Sequence, residues 1–275
     1  MDLKEIKFKE RIYPITNFLL SSVVKHKIIK YYNLIKRDGD KNFDARNYLY
    51  NNEVKSMQSP KIIVMNHSNV HDFPIVNQAL KHHSIILSAK DNLHGINGIV
   101  INMNGCVPVV RNDKTSRKQS NEELKNILKQ GKDVLVMVEG IWNLTPHVPI
   151  LPFSWGIIDT AKEIGVPILP VILEYEKKEC YVNIGSLIDV NDFIDKKDAY
   201  IYLRDMMATL RWNLWELFGT FSKDEINQKY FDRLIEHIKS EYKPMNFEEE
   251  AKLAFTDHDY FEDVWAPIKK LNKRD

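Results

Sequence analysis

The chain has 275 residues, 44% of them hydrophobic, and its 39 Lys and Arg residues nearly balance its 38 Asp and Glu residues. This composition excludes a disordered protein and is sufficient for a sizeable folded core. A net charge of +1 argues against binding through an overall positive field, so we expect no nucleic-acid partner. Cys106 and Cys180 are the only cysteines, which excludes a disulfide framework and favours a reducing compartment.

The N-terminal segment contains an apolar stretch over residues 15–24 that polar residues interrupt. A membrane-spanning helix needs about 20 apolar residues, so we expect no spanning helix here. Residues 25–37 carry five basic side chains and four apolar ones at helical spacing: Ile28, Ile29, Tyr32 and Ile35. A basic amphipathic helix of this kind is typical both of an ordinary protein surface and of a membrane interface.

From residue 60 onward, short apolar runs alternate with helical patterns. This alternation predicts an α/β domain with a central, mostly parallel or mixed sheet flanked by helices. The predicted strands are residues 62–65, 84–88, 106–110, 134–138 and 168–173, with an additional edge strand at 180–184. The predicted helices are residues 66–80 (a turn and a helix), a segment from a capping box at Ser120 to Gly131, and residues 156–164.

The last third of the chain is predicted to be helical. Apolar residues at steps of three or four indicate a long helix over residues 198–218, and a capping box at Ser222 opens another helix that reaches Ile238. We therefore expect three parts: an N-terminal amphipathic helical segment (1–50), an α/β core (51–190), and a helical C-terminal extension of the same domain (191–275).

Candidate catalytic residues are densest directly after the first predicted strand, in the run Asn66-His67-Ser68-Asn69-Val70-His71-Asp72. Open α/β folds place their sites at the carboxyl ends of strands. Asp72 lies in the first turns of the following helix, from where its carboxylate can bind the His67 ring and make it an oriented general base. A helix that simply begins with an acidic residue has the same pattern.

A metal site is the competing interpretation of this run. His67 and His71 are four residues apart, as in zinc-binding helices. The glutamate of the H-E-x-x-H pattern is missing, because Ser68 stands in its place, and His67 precedes the predicted helix. We therefore expect no metal, although a metal hydrolase remains an alternative. His82 and His83 are expected in an exposed loop.

Three further blocks follow in order: residues 105–111 (GCVPVVR), 138–143 (VEGIWN) and 166–171 (VPILPV). Each lies next to a predicted strand. Together with the His67 block, and over about residues 60–185, they resemble the glycerolipid (lysophospholipid) acyltransferase family. The pattern of that family is N-H-x-x-x-x-D, G-x-x-x-x-x-R, E-G-T-R and V-P-I-x-P-V.

The resemblance implies transfer of a fatty acyl group from acyl-CoA or acyl-carrier protein to a hydroxyl of a glycerol-phosphate or lysophospholipid-like acceptor. It implies no cofactor beyond the acyl carrier. By the same resemblance, His67 is the general base and Asp72 its orienting partner. The sequence does not assign the oxyanion donors, for which backbone N–H groups at the helix start near Ser68 are one candidate.

The remaining site residues are also assigned by the resemblance. Arg111 is expected to bind the acceptor's phosphate, for which a guanidinium suits bidentate contact. Other roles fall to the acceptor-site residues Glu139 and Gly140, to Lys90 as a second phosphate contact, and to Pro167 and Pro170 in a strand that lines the acyl pocket.

The third block departs from the family, because Ile141 and Trp142 replace a Thr and an Arg. The loss of a hydroxyl and a guanidinium indicates an acceptor that is bulkier, less charged or differently placed. Trp142 is expected to stack on a sugar, to cover an acyl chain or to lie in the core. The departure keeps two alternatives open: an acyltransferase for a non-glycerophosphate acceptor, and a non-catalytic lipid-binding or interaction protein.

The charges are unevenly distributed along the chain. Residues 1–37 contain nine basic and three acidic residues, whereas residues 244–263 contain one and seven. A basic residue near an anionic membrane contributes about 1 kcal/mol to binding. With the family resemblance, this predicts a peripheral enzyme on the cytoplasmic face of a membrane, docked by residues 12–37. The sequence predicts no particular oligomeric state.

Overall fold

The computed structural model describes residues 1–27, 30–34, 60–69, 71–80, 82–110, 113–143, 148–176 and 179–218, together with Glu236. Within these residues, seven strands form one mixed sheet, and helices pack on both of its faces. The predicted α/β fold with a mostly parallel or mixed sheet is confirmed. The helix predicted from Ser222 lies outside the described residues, apart from Glu236.

The helices are α1 (Leu3–Lys27), α2 (Asp72–Leu80), α3 (Gly95–Asn104), α4 (Lys114–Lys129), α5 (Gly156–Ile164) and α6 (Lys196–Phe218). The strands are β1 (Lys30–Leu34), β2 (Ile62–Met65), β3 (Ser84–Ala89), β4 (Cys106–Val109), β5 (Asp133–Met137), β6 (Ile168–Glu176) and β7 (Glu179–Ile184). Short 3₁₀ helices cover Lys90–Leu93 and Val190–Asp192.

The sheet order is β1-β7-β6-β2-β5-β3-β4, and only the β6–β7 pair is antiparallel. Strand β2 lies between β5 and β6, and its four residues are buried because helices cover both faces of the sheet. Met65 pairs with Met137 of β5 and with Val171 of β6. The chain that leaves β2 therefore emerges at the middle of the sheet's carboxyl edge.

The two faces of the sheet bury separate apolar clusters. One cluster packs α2 residues such as Phe73 and Val76 against Ile63 of β2 and Leu173 of β6. The other packs α4, α5 and α6 against the opposite face, around Val64. Alternate residues of β6 thus face opposite helices, so that residues 169, 171, 173 and 175 lie on the α2 side.

The structure differs from the helix predicted over residues 25–37. Helix α1 ends at Lys27, and residues 30–34 form β1, which pairs in parallel with β7. The backbone N–H and C=O groups along β7 bind this segment as a strand, and this pairing outweighs the helical spacing of its apolar residues. Strand β7, predicted as an edge strand, is consequently an interior one.

Helix α4 begins six residues earlier than its predicted capping box at Ser120. Asp113 is the N-cap, and its carboxylate accepts a hydrogen bond from Thr115 N at 2.8 Å. The Ser120 hydroxyl instead donates to Ser116 O at 2.8 Å, inside the helix. The predicted end is close, since α4 stops at Lys129, just before Gly131.

Candidate active site

The exit of β2 is fixed by a buried amide. Asn66 Nδ2 donates to Leu173 O at 2.9 Å, and Leu173 N donates to Asn66 Oδ1 at 2.8 Å. These two hydrogen bonds satisfy the fully buried Asn66 side chain and tie the end of β2 to β6. The next residue, His67, is therefore held at a defined point of the carboxyl edge.

The structure brings His67 and Asp72 together as the sequence pattern predicted. His67 Nδ1 lies 2.9 Å from Asp72 Oδ2, and Asp72 is the first residue of α2. Because a carboxylate only accepts, Nδ1 carries the proton and the lone pair of the imidazole is on Nε2. This is the tautomer that a general base needs.

Asp72 is fully buried and receives hydrogen bonds on both oxygens. Oδ2 accepts from Ser68 N at 2.7 Å and from Asn69 N at 2.9 Å, and Oδ1 accepts from the Tyr175 hydroxyl. These donors offset the cost of removing a carboxylate from water. Of the candidate oxyanion donors near Ser68, the backbone N–H groups of Ser68 and Asn69 are therefore already bound to Asp72.

Glu139 is buried at the end of β5 and holds the chain around His67. Its Oε2 accepts from His67 N at 2.9 Å, while Oε1 accepts from Leu151 N at 2.7 Å and from Asn143 Nδ2 at 2.9 Å. Burial raises the pKa of Glu139, and these hydrogen bonds together with the Arg211 charge act against that shift. Glu139 acts on the site through the backbone it binds.

The turn after Glu139 brings an aromatic ring onto the imidazole. Gly140 has a φ of 67°, a conformation that favours glycine, and its N–H donates to Met137 O at 3.1 Å. The chain then returns, and Asn143 N donates to His67 O at 2.7 Å. Trp142 is buried, with its ring centroid 4.7 Å from that of His67 at an interplanar angle of 43°. It occupies the position of the family's arginine.

The two predicted phosphate ligands are not both placed by the structure. Arg111 lies outside the described residues. Lys90 is exposed and begins the 3₁₀ helix at the end of β3, on the same edge of the sheet as His67. Strand β3 is two strands from β2, which corresponds to about 10 Å.

The two predicted acyl-pocket prolines lie away from the carboxyl edge of the sheet. Ile62 N donates to Pro167 O at 3.0 Å, which places Pro167 at the amino end of the strands. Pro170 is buried and pairs with Val64 in the middle of the sheet. The structure does not bring these residues to the His67–Asp72 pair, so their role stays a prediction.

Two side chains that no sequence motif identifies also stabilise the site, one by direct contact and one through neighbouring segments. Tyr175 of β6 binds Asp72, and Arg211 of α6 is buried with its Nε 2.6 Å from Glu174 Oε2. Arg211 also donates to Pro149 O at 2.8 Å, close to the segment that binds Glu139. Only the paired strands and packed helices bring these residues near His67, and no local sequence pattern marks them.

The described residues contain neither a metal-ligand cluster nor a helix that could span a membrane. Across the described ranges, no group of three or more His, Cys, Asp or Glu side chains is arranged to hold a metal ion. None of the described helices has the length and apolar character of a membrane span. His82 is exposed as expected, whereas His83 is half-buried and its Nε2 lies 2.6 Å from Asn104 O.

Two comparisons with known proteins, one of families and one of solved structures, found similarities. Residues 46–174 match the family model described as Acyltransferase. No curated protein matches the chain. The solved structure of the 1-acyl-sn-glycerophosphate (LPA) acyltransferase PlsC from Thermotoga maritima is 19% identical, with a TM-score of 0.48, over 80% of this chain and 98% of that chain. The matched residues, which include His67, Asp72 and Glu139, are similar to this family.

Proposed function

We propose that this acyltransferase moves a fatty acyl group from acyl-CoA or acyl-carrier protein to a hydroxyl of a glycerol-phosphate or lysophospholipid-like acceptor. The observation that carries the proposal is the 2.9 Å contact between His67 Nδ1 and the buried Asp72 carboxylate. This contact leaves Nε2 as the basic nitrogen and stabilises the imidazolium that forms when it takes a proton.

The proposed reaction proceeds through direct attack by the acceptor. His67 Nε2 removes the proton from the acceptor hydroxyl as its oxygen attacks the thioester carbonyl carbon. The resulting tetrahedral oxyanion collapses, the carbon–sulfur bond breaks, and the thiolate takes the proton from the His67 imidazolium. The product is an ester and a free thiol, and no acyl-enzyme forms.

The proposed acceptor site lies beside the segment that carries Trp142. In this position Trp142 supplies an apolar surface where the family pattern supplies a guanidinium. Recognition of an anionic headgroup then depends on Arg111, with Lys90 as a second proposed contact. Glu139 and Gly140 shape the site through the turn they form around His67.

We also propose that α1 binds the cytoplasmic face of an anionic membrane. One side of α1 is buried and includes Ile6 and Thr16. The opposite side exposes three large apolar residues and three basic ones at helical spacing: Phe8, Ile15, Phe18, Lys4, Lys7 and Arg11. Exposed aromatic and basic side chains on one helix face favour an interfacial position in an anionic bilayer.

An acceptor screen tests the proposed reaction. Purified protein is incubated with palmitoyl-CoA and with lysophosphatidic acid, lysophosphatidylglycerol, monoacylglycerol or no acceptor, and both the free thiol and the acylated product are measured. We expect thiol release that requires an acceptor and equals the ester formed. Thiol release without an acceptor that a chelator abolishes would instead indicate a metal hydrolase. No release with any acceptor would favour a non-catalytic lipid-binding protein.

A further inference from the structure

Tyr175 reaches the candidate catalytic pair from a separate strand. It lies near the carboxyl end of β6, which runs parallel to β2, and its side chain is on the same face of the sheet as α2. Its hydroxyl donates to Asp72 Oδ1, whereas His67 Nδ1 binds Oδ2. The two oxygens of the carboxylate are thus bound by two different side chains. Tyr175 is 103 residues from Asp72 in the sequence.

Pairing between β6 and β7 fixes the Tyr175 ring. Tyr175 is directly opposite the fully buried Cys180 across the antiparallel ladder. On the opposite face of β6, Glu174 is bound by Arg211 at 2.6 Å.

We infer that Tyr175 is a positioning residue for acyl transfer. Its hydrogen bond orients Asp72 and partly neutralises the Asp72 carboxylate, and in this way it sets the basicity of His67. The inference rests on the proposed function of the His67–Asp72 pair. A hydrogen bond to a carboxylate partly neutralises it and weakens its attraction for the neighbouring imidazolium.

The protonation state of Tyr175 suits this role. Burial raises the pKa of the Tyr175 hydroxyl well above its ordinary value, and the charge of Asp72 acts in the same direction. The hydroxyl therefore remains a donor throughout the pH range in which a histidine titrates. Burial likewise raises the pKa of the Cys180 thiol, again with Asp72, so that Cys180 remains a neutral neighbour.

The charged and titratable groups around the pair come from five elements, one of which is β7 with the neutral Cys180 thiol. Asp72 is on α2, Glu139 follows β5 and binds the His67 backbone, and Glu174 of β6 is paired with Arg211 of α6. In the described part of the chain, Tyr175 is the side chain that hydrogen-bonds Asp72 Oδ1. Its loss should therefore increase the effective charge that faces the His67 ring.

The sign of the expected change follows from this arrangement. In Tyr175→Phe, Asp72 has one donor fewer, so the imidazolium form of His67 is more stable. Protonation of the His67 ring should therefore extend to higher pH in this variant than in the wild type. The acid limb of kcat/KM for acyl transfer should move in the same direction, because the base must be neutral to act.

The test is an NMR titration of the full-length chain labelled at histidine, with the His67 signals assigned from a His67→Gln variant. The wild type is compared with Tyr175→Phe and with Tyr200→Phe. The last is a matched control, because the buried Tyr200 hydroxyl accepts from Phe153 N at 3.3 Å and belongs to α6. The titration needs no turnover, so its outcome is independent of whether the proposed reaction is correct.

A second variant tests the inference even if Tyr175→Phe does not fold, because it retains the ring and the hydroxyl at position 175. Incorporation of 3,5-difluorotyrosine at position 175 retains the hydroxyl and makes it a stronger donor, so His67 should titrate at lower pH than in the wild type. Opposite shifts in the two variants, or the fluorotyrosine shift alone where Phe is not tolerated, would support the inference. If His67 titrates in the Tyr175 variants as it does in Tyr200→Phe, the inference is wrong, even if activity is reduced. Tyr175 would then be a purely structural residue.

Discussion

The backbone N–H of His67 donates to the Glu139 carboxylate at 2.9 Å, so the end of β2 is bound to the end of β5. The bond is reinforced in the reverse direction, since Asn143 N donates to His67 O at 2.7 Å. Glu139 also binds Leu151 N and the Asn143 side chain. Glu139, the glutamate of the third motif block, therefore holds the loop around His67 in place through its hydrogen bonds.

We predict that Glu139→Gln lowers both stability and acyl transfer. A glutamine has one acceptor oxygen, so one of the three donors that Glu139 now binds would face an amide NH₂ group. An unpaired buried donor costs about 1–3 kcal/mol, which urea unfolding measures. Glu163→Gln is the control, because Glu163 is an exposed partner of Lys125. An unchanged free energy of unfolding, with only the acceptor KM raised, would mean that Glu139 contacts the acceptor instead.

We predict that Trp142→Arg shifts the acceptor preference toward anionic headgroups. The change restores the guanidinium of the family pattern next to His67, where Trp142 now packs at 4.7 Å between ring centroids. The ratio of kcat/KM for lysophosphatidic acid to that for monoacylglycerol should increase about tenfold, equivalent to roughly 1.4 kcal/mol. Trp212→Arg on the exposed side of α6 should leave the ratio unchanged. An equal ratio in both variants would show that position 142 does not contribute to acceptor choice.

We predict that the exposed face of α1 determines membrane binding. Phe8 and Phe18 are 61% and 70% exposed, and burying such a side chain contributes roughly 1.5–3 kcal/mol. The double variant Phe8→Ser/Phe18→Ser should float with anionic phosphatidylglycerol vesicles far less than the wild type does. Ile194→Ser, a fully exposed residue before α6, is the matched control. Flotation of the double variant at the wild-type level would exclude this face as the membrane contact.

We predict that acidification weakens the fold through two histidines near the amino ends of the strands. Burial of the His83 ring, and of the covered half of the largely exposed His82 ring, lowers the pKa of each histidine below 6.5. The unfolded chain then binds more protons than the folded one, so their stabilising contribution is complete above about pH 6.5 and is lost as the pH decreases. Urea unfolding at pH 7.5 and 5.5 should show a smaller loss for His82→Gln/His83→Gln than for the wild type.

The exposed His94 provides the control for this pH dependence. A His94→Gln variant should lose as much stability on acidification as the wild type does. If the double variant at positions 82 and 83 also behaves like the wild type, the pH dependence originates elsewhere in the protein.

Local sequence patterns predicted the parts of the fold and site that depend on neighbours in the chain. Buried apolar runs identified β2 and β5, and a strand exit followed by Asp72 was enough to predict its contact with His67. Strand β1 was missed because its partner, β7, lies 149 residues later in the first pair, Lys30 with Glu179. The apolar residues around β1 have helical spacing, and this local pattern carries no information about a strand so distant in the sequence.

The same limit explains which site residues were missed. Tyr175 contacts Asp72 across 103 residues, and Arg211 contacts Glu174 across 37, from α6 to β6. Neither residue belongs to a motif, and each acquires its role from strand register or helix packing. Glu139 was identified by its motif, but its burial and its three donors became evident only when the loop was seen to close on His67.

The most direct test of the account is acyl transfer from palmitoyl-CoA to the acceptor found in the screen, by the wild type, His67→Gln and His71→Gln. His71 is a buried neighbour in the same motif, and it would be essential only if the site bound a metal through both histidines. Provided that the thermal unfolding temperatures agree, we predict a loss of about 10²-fold or more in kcat for His67→Gln and near wild-type turnover for His71→Gln. Wild-type turnover by His67→Gln, or an equal loss in both variants, would contradict it.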